Sequence, residues 1–218
     1  HTALFLVAQD GTGTILGQTL DDAAGEAFDK AAKILDLGYP GGPVIDRLAK
    51  DGDPAAVRFP RGLTGEGGKP VPEDKRFSFS FSGLKTSLLY HVNNRNLADQ
   101  ERRDIVASYQ EAIVDVLTRK TLDAAAAANA STILLCGGVA CNSALRDRLA
   151  TAARNAGEQL VIAPPKYCTD NAAMVGGLGF HYLHWGVASG CALEAQPRLG
   201  SDFGTIPFAP DAPRRPVA

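Results

Sequence analysis

The sequence has little cysteine, few aromatic residues and almost no net charge. Its 218 residues include 4 cysteines, and aromatic side chains make up 7%. Four thiols are too few for the disulfide framework of a small secreted domain, and none stands in the CxxC spacing of a zinc ribbon. We therefore interpret the thiols as reduced, buried side chains of a cytoplasmic protein. They are Cys136, Cys141, Cys168 and Cys191.

The charge balance excludes a protein that holds nucleic acid by bulk positive charge. Lys and Arg number 22 against 24 Asp and Glu, which gives a net charge of −2. Local basic clusters remain possible contacts for nucleic acid, and we interpret each of them as a solvated helix face. These clusters are Arg102 with Arg103, Arg119 with Lys120, and Arg146 with Arg148.

Long apolar runs are also absent, since no segment approaches the roughly 18 residues that a membrane-spanning helix needs. The chain begins at His1 and Thr2, within an apolar run and without the basic and apolar regions of a signal peptide. We therefore expect no membrane attachment, and we expect the chain to be a fragment of a longer protein.

What is present is an alternation of strand and helix patterns. Two apolar segments around a Gly-rich turn at 9–11 predict a β-hairpin, and later segments predict two further strands that alternate with helices. Strands are predicted over 2–8, 14–18, 132–136 and 159–163, with a further short strand carrying Phe77, Phe79 and Phe81 on one face. Helices are predicted over 23–35, 43–50, 84–92, 99–128, 142–156 and 171–185.

This alternation predicts an α/β fold with a central mixed sheet between helical layers. The segment 51–75 is expected to be a long surface loop, and the Pro-rich segment 199–218 an irregular tail. Asp21 and Asp22 stand where N-cap residues of the first helix are expected. Within that helix, Glu26 with Lys30 and Asp29 with Lys33 have the spacing of ion pairs.

The segment Ile133–Asn142 combines features of a ligand site. Its strand ends in Gly137 and Gly138 and opens a helix, whose first N–H groups suit an anion or a nucleotide. Asn142 has two interpretations, as a ligand contact or as the N-cap of the helix. The pattern contains neither a GxGxxG nor a Walker motif.

Carboxylates supply two further candidates. Asp29 and Asp46 lie on either side of the Gly41–Gly42 pair, where they suit ribose or amine hydrogens. For Glu26, Asp29 and Lys33 alone, solvated salt bridges are the simpler alternative. Asp170 precedes the last helix, either as its N-cap or as a ligand of a metal at the end of a strand. His181 and His184 are interpreted as packing or surface residues, because HxxH on a helix lacks a third ligand.

Five segments together resemble the TsaD/Gcp family, the transferases of tRNA N6-threonylcarbamoyladenosine synthesis. In chain order they are DDAAGEAFDKAAKIL, LGYPGGP, RFSFSFSGLKTSLL, CGGVACNSALR and PPKYCTDNAAM. The resemblance implies an actin/Hsp70/sugar-kinase-like (ASKHA) fold. It also implies that residues 1–198 are its C-terminal lobe, and that the parent moves a threonylcarbamoyl group to N6 of adenosine 37 in ANN-decoding tRNAs.

The resemblance also implies a site. Threonylcarbamoyl-AMP, or ATP or ADP, is expected to contact Asp29, Gly42, Asp46 and Asn142, and Asp170 is expected to bind one divalent metal of the iron or zinc type. The implied partners are the anticodon loop of tRNA and, in bacteria, TsaB-like and TsaE-like proteins.

The chain departs from the family pattern at its beginning. The family's metal-binding HxxxH helix and its phosphate-contacting glycine pair have no counterpart in these residues, so we expect the isolated chain to be inactive. Two alternatives come from other classes of protein. One is a non-catalytic TsaB-like interaction module, and the other is a lobe of an acetate- or sugar-kinase-like ATPase.

Overall fold

The computed structural model describes residues 1–8, 13–68, 70–184, 186 and 190. The strands are β1 (Ala3–Val7), β2 (Gly13–Gln18), β3 (Thr132–Leu135) and β4 (Gln159–Ile162). The α-helices are α1 (Ala24–Ile34), α2 (Gly41–Ala49), α3 (Ser82–Val92), α4 (Asp99–Ala127), α5 (Ser143–Ala156) and α6 (Ala172–His184). Short 3-10 turns lie at Glu66–Gly68, Glu73–Lys75, Gly138–Cys141 and Pro165–Tyr167. The predicted tail 199–218, the turn at 9–11 and Cys191 lie outside the described residues.

The strands pair in two small sheets. β1 and β2 form the predicted antiparallel hairpin, with Phe5 opposite Ile15, and β3 and β4 pair in parallel, with Ile133 opposite Leu160. The α/β class is confirmed. In place of the single mixed sheet that we expected, the described strands form two separate two-stranded sheets, so the two kinds of pairing are not combined in one sheet.

Helix α4 lies at the centre of the core and packs against α2 and α5. Most residues in its middle, from Ile105 to Leu117, are buried, and the exceptions are Glu111 and Asp115. Tyr109 is fully buried there, and its hydroxyl donates a hydrogen bond to the carbonyl oxygen of Ala27 in α1 at 3.1 Å. This bond satisfies the polar end of the ring, which an apolar core would otherwise penalise.

The long loop between α2 and α3 holds a second difference from expectation. Phe77, Phe79 and Phe81 do not form a strand; the segment makes a single parallel bridge, between Thr19 and Phe79. Phe79 and Phe81 are buried with nearly parallel rings, 6.1 Å between centroids, yet Ser78 is buried as well. The strict alternation of a strand face is therefore absent.

The thiols also differ from expectation. Cys168 is buried, as predicted, but Cys136 and Cys141 are exposed. Both of these stand in the loop region that follows β3, where the chain leaves the sheet.

None of the helices in the described part of the chain has the length and apolar character required to cross a bilayer.

The start of α1 is capped differently from the sequence expectation. Its N-cap residue is Ala23, so the prediction for Asp21 and Asp22 is wrong. The Ala23 N–H donates to the Glu26 carboxylate at 3.0 Å, and the Ala24 N–H donates to the Thr2 hydroxyl at 2.9 Å. These first N–H groups are thus paired with Glu26, one turn further along the helix, and with Thr2, which precedes β1.

Of the two ion pairs predicted within α1, one is confirmed and the other is wrong. Glu26 and Lys30 pair at 3.9 Å, as expected, and Lys30 also pairs with Asp22. The carboxylate of Asp29 instead accepts the Gly41 N–H at 2.8 Å, and no ion pair between Asp29 and Lys33 is found in the described chain. Because this bond supplies a cap, α2 begins at Gly41, two residues before the predicted start.

Asp21 stabilises the start of α3 rather than that of α1. Its Oδ1 accepts the N–H groups of Phe81 and Ser82 at 2.8 and 3.2 Å, and its Oδ2 accepts the hydroxyls of Ser80 and Ser82 at 2.6 and 2.7 Å. Partial burial tends to raise the pKa of Asp21, but these four hydrogen bonds outweigh it and leave the pKa below its usual value.

We expect Asp21→Asn to lower the free energy of unfolding by about 1 kcal/mol near pH 7, in the range of a lost helix cap. Because the pKa of Asp21 is lower in the folded state, its stabilising contribution is complete above the ordinary carboxyl pKa and disappears as the pH falls through the folded-state value. The difference between wild type and variant should therefore shrink below about pH 4.

Urea unfolding at a series of pH values measures this difference. Asp74→Asn is the matched control, because Asp74 is exposed and makes no hydrogen bond or ion pair within the described structure. An Asp21→Asn deficit that does not change between pH 7 and pH 3 would contradict the assignment.

Candidate functional site

Two loops meet at one edge of the parallel sheet, because the carboxyl ends of parallel neighbours lie together. The loop after β3 contains the turn Gly138–Cys141, and the loop after β4 contains the turn Pro165–Tyr167 and leads to Asp170. Arg146 of α5 joins them. Its Nε donates to the carbonyl oxygen of Ala140, and its Nη2 donates to that of Ala163 at 3.1 Å.

The glycine turn exposes its backbone. Gly137 has φ +88°, a conformation that side chains disfavour, and both Gly137 and Gly138 are solvent-exposed. A Cβ placed on Gly138 would have no other atom within 4 Å. A ligand can therefore approach this backbone closely, directly before the start of α5.

Asn142 is buried, and both ends of its side chain are used inside the protein. Its Oδ1 accepts the Leu145 N–H at 2.9 Å, which makes it the N-cap of α5, and its Nδ2 donates to Oε1 of Gln110 at 2.7 Å. The N-cap interpretation of Asn142 is thus confirmed. Its predicted contact with a nucleotide stays a prediction.

Asp46 connects α2 to the start of α5. Its Oδ1 accepts both the N–H of Ser143, at 3.0 Å, and the hydroxyl of Ser143, at 2.8 Å. One turn earlier on α2 and on the same side lies Gly42, whose absent Cβ would meet no atom within 4 Å. The neighbouring Gly41 is enclosed, since a Cβ there would lie 2.6 Å from the carbonyl oxygen of Phe28.

The structure therefore brings four of the five predicted residues into one connected cluster: Asp29, Gly42, Asp46 and Asn142. Asp29 holds the first residue of α2, Gly42 is the second, and Asp46 reaches from α2 to the residue that follows Asn142. The N-termini of α2 and α5 are thereby linked. Helix N-termini carry partial positive charge, which favours an anion such as the phosphate of a nucleotide.

Asp170 lies apart from this cluster, on the other loop. It is exposed, and Asn171 rather than Asp170 caps α6, because Asn171 Oδ1 accepts the Met174 N–H at 3.0 Å. The N-cap interpretation of Asp170 is therefore wrong. Since no hydrogen bond to Asp170 occurs among the described residues, its carboxylate is available to a ligand.

The donor set around Asp170 does not fit a metal site by itself. Across residues 1–8, 13–68, 70–184, 186 and 190, no group of three or more His, Cys, Asp and Glu side chains is placed to hold an ion. A single exposed carboxylate does not bind a divalent ion tightly. His184 stacks on Phe180 at 6.0 Å between ring centroids, which agrees with the packing interpretation of the HxxH pair.

Sequence reasoning missed three residues that position the site. Gln110 orients the Asn142 amide, Ser143 receives the Asp46 carboxylate, and Arg146 joins the two loops. Of these three residues, only Gln110 could have been suspected from the sequence. It is a polar residue within the apolar side of a long amphipathic helix, and it is buried there.

The fold and this arrangement define an α/β lobe of the actin/Hsp70/sugar-kinase-like class. A family profile described as "tRNA N6-adenosine threonylcarbamoyltransferase" (TsaD) matches residues 1–177. The chain belongs to this family.

Curated relatives with the same description agree. The protein of Thermosipho africanus is 46% identical over 199 residues, which cover 91% of this chain and 58% of the relative. The protein of Geobacter metallireducens is 50% identical over 197 residues, which cover 89% and 55%. The chain thus spans somewhat over half the length of these relatives.

One solved structure supports the fold alone. The crystal structure of T. kodakarensis HypF matches with a TM-score of 0.51 and 20% sequence identity, over 73% of this chain and 20% of HypF.

We expect Asn142→Ala to lower the free energy of unfolding by about 2 to 3 kcal/mol, because it removes a helix cap and leaves the buried amide of Gln110 without its partner. Asn155→Ala, an exposed position on the same helix, should change stability by no more than about 0.5 kcal/mol. Urea unfolding measures both.

A double-mutant cycle with Gln110→Ala tests the pair directly. A coupling free energy of about 1 kcal/mol between the two positions is expected from a buried hydrogen bond. If Asn142→Ala costs no more than Asn155→Ala, the buried contact does not exist as described.

Proposed function

We propose that this protein takes part in moving the threonylcarbamoyl group from threonylcarbamoyl-AMP to N6 of adenosine 37 in ANN-decoding tRNAs. In this reaction the N6 amine attacks the carbamoyl carbonyl carbon, AMP leaves with the bonding electrons, and the amine loses a proton. The observation that carries the proposal is the connected cluster of Asp29, Gly42, Asp46 and Asn142. Membership of the transferase family supplies the reaction.

The two carboxylates of the cluster are suited to hold the nucleoside. Asp29 and Asp46 each use only Oδ1 in the hydrogen bonds described above, so Oδ2 of each remains for hydroxyl or amine hydrogens. Because Oδ1 of each carboxylate is already bonded to a helix start, the direction of the second oxygen is restricted. We infer that these residues orient the adenosine and ribose, while the open backbone at Gly42 and Gly138 leaves room for the phosphate and base.

We propose weak binding of tRNA by this chain and a requirement for partner proteins of the TsaB-like and TsaE-like kinds. Each of the three predicted basic clusters has an arginine engaged by an acidic side chain or a carbonyl. Arg103 pairs with Asp51 at 3.0 Å, and Arg119 pairs with Asp115 at 2.8 Å. In the third cluster Arg148 pairs with Glu111 at 2.6 Å, and Arg146 is bonded to the two loop carbonyls. Such cations offer little to the anticodon-loop phosphates.

A cytoplasmic location, where tRNA is modified, is part of the same proposal. The two alternatives, a non-catalytic TsaB-like module and a small-molecule kinase lobe, have no specific observation in their favour. The relatives described above are named as transferases.

Gly42→Ala tests the nucleotide site without disturbing the fold. Because a Cβ at Gly42 would meet no protein atom, the variant should unfold at the same denaturant concentration as wild type or slightly higher. We expect its affinity for ADP, measured by calorimetry, to fall about tenfold, which is roughly 1.4 kcal/mol.

Gly83→Ala is the matched control, because Gly83 is also an open glycine within a helix but lies on α3, outside the cluster. Its ADP affinity should equal that of wild type. Equal affinity in the Gly42→Ala variant would show that the nucleotide does not contact this part of α2, and absence of ADP binding in wild type would contradict the proposed site.

The proposed role of Asp170 is to contribute one carboxylate to a divalent ion of the iron or zinc type. The described residues hold no group of three or more side chains placed to bind such an ion. We expect elemental analysis of the purified chain to give background metal both for wild type and for Asp170→Ala. Asp170→Ala should also leave stability within about 0.5 kcal/mol, because the residue is exposed and caps no helix. Stoichiometric metal that disappears on substitution would show that residues of this chain complete the site.

A further inference from the structure

Ser143, the first residue of α5, is bonded to Asp46 through both its backbone and its side chain. Oδ1 of Asp46 accepts the Ser143 N–H at 3.0 Å and the Ser143 hydroxyl at 2.8 Å. Two donors that reach one oxygen from different directions restrict the plane of the carboxylate, whereas the N–H alone would permit rotation about a single bond. Oδ2 of Asp46 makes no hydrogen bond or ion pair with the described residues, and the side chain is partly buried.

The Ser143 hydroxyl has no hydrogen left for a ligand. A serine hydroxyl carries one hydrogen, and that of Ser143 is donated to Asp46. Its influence on a ligand group that donates hydrogen bonds to this carboxylate therefore passes through Asp46. The geometry makes Ser143 a residue that orients the carboxylate, while Oδ2 of Asp46 is the atom that can contact a nucleotide.

The chemistry of Oδ2 restricts which part of a nucleotide it contacts. A carboxylate accepts hydrogen bonds and donates none, so it selects ligand groups that donate. The ionised phosphates of ADP offer no donor, and the donors of its nucleoside are the two ribose hydroxyls and the adenine amine. In α/β nucleotide sites, an acidic residue near a glycine turn and a helix start accepts a hydrogen bond from a ribose hydroxyl. Asp46 has this setting, because it is bonded to the start of α5, which follows the Gly137–Gly138 turn.

We propose that Ser143 is a positioning residue that, through Asp46, makes the nucleotide site select ribonucleotides over deoxyribonucleotides. The inference rests on the nucleotide site proposed above and adds the sugar specificity of that site. Loss of the Ser143 hydroxyl leaves Asp46 in place but less restricted in orientation. The cost therefore falls on the hydrogen bond with the ribose hydroxyl, and the contacts with phosphate and base keep their strength.

Calorimetric affinities of ADP, 2′-deoxy-ADP and 3′-deoxy-ADP for wild type and Ser143→Ala test the proposal. In wild type, one of the two deoxynucleotides should bind about tenfold more weakly than ADP, and in Ser143→Ala the affinity for ADP should fall about fivefold. The affinity of Ser143→Ala for that deoxynucleotide should equal the wild-type value, because the ligand lacks the hydroxyl that Asp46 holds. Ser143→Thr keeps a hydroxyl at this position and should restore the preference for ADP.

Two further variants separate positioning from a general structural effect. In an Asp46→Ala background, Ser143→Ala should not lower ADP affinity any further, because the carboxylate through which it acts is gone. Thr151→Ala is the matched control, since it removes an exposed hydroxyl from the same helix and should leave all three affinities unchanged.

The outcomes distinguish this inference from the nucleotide site on which it rests. If wild type binds ADP and Gly42→Ala weakens that binding, the nucleotide site stands. An unchanged ADP affinity in Ser143→Ala, or an equal loss for ADP and both deoxynucleotides, would then overturn the role of Ser143 alone. Absence of ADP binding by wild type would overturn both.

Discussion

At the start of three helices, a carboxylate from another part of the chain accepts hydrogen bonds from backbone N–H groups. Asp21 holds the start of α3, Asp29 that of α2, and Asp46 that of α5, while the hydroxyl of Thr2 serves α1 in the same way. The first N–H groups of a helix have no partner within it, so each of these bonds meets a local requirement with a distant residue. Together these bonds connect the residue before β1 to α1, α1 to α2, and α2 to α5.

Two of these residues, Asp29 and Asp46, are also among those that the family resemblance implicates in substrate binding. For Asp29 and Asp46 the two roles are compatible, because one carboxylate oxygen is bonded to a helix and the second is not. For Asn142 the structure gives the positional role more weight, since both ends of its amide are bonded inside the protein. The proposed substrate contacts therefore share residues with the contacts that fix the fold, and we expect a substitution at one of them to change both.

Local pattern was enough to predict much of the fold. The hairpin, the helices α3, α4 and α5, and the positions of the strands β3 and β4 follow from apolar spacing and turn residues, because these signals lie within a few residues of each other. The errors fall where a partner is remote in sequence. Asp21 looks like a cap of the nearest helix, but its partners are Ser80 to Ser82, which no local pattern connects to it.

In the candidate site, too, the features set by local sequence could be predicted and those set by distant contacts could not. The glycine turn and Asn142 as its helix cap could be predicted from a strand, two glycines and a helix pattern in succession. Gln110 and Arg146 could not, because their importance comes from a buried amide and from two carbonyls that the fold alone brings near them. Asp170 was ambiguous for a related reason, since Asp and the following Asn are both good caps and only the structure shows that Asn171 is the one used.

The two adjacent glycines at the start of α2 have different reasons to be glycine. Gly41 is enclosed by the backbone of α1, so any side chain there would push two helices apart, whereas no atom of the described residues lies within 4 Å of a Cβ at Gly42. In a descendant that kept the fold but did not bind the nucleotide proposed here, selection would still retain the first glycine and would no longer retain the second. The residue that follows an invariant glycine at this turn would then distinguish lineages that still bind the ligand from those that keep only the scaffold.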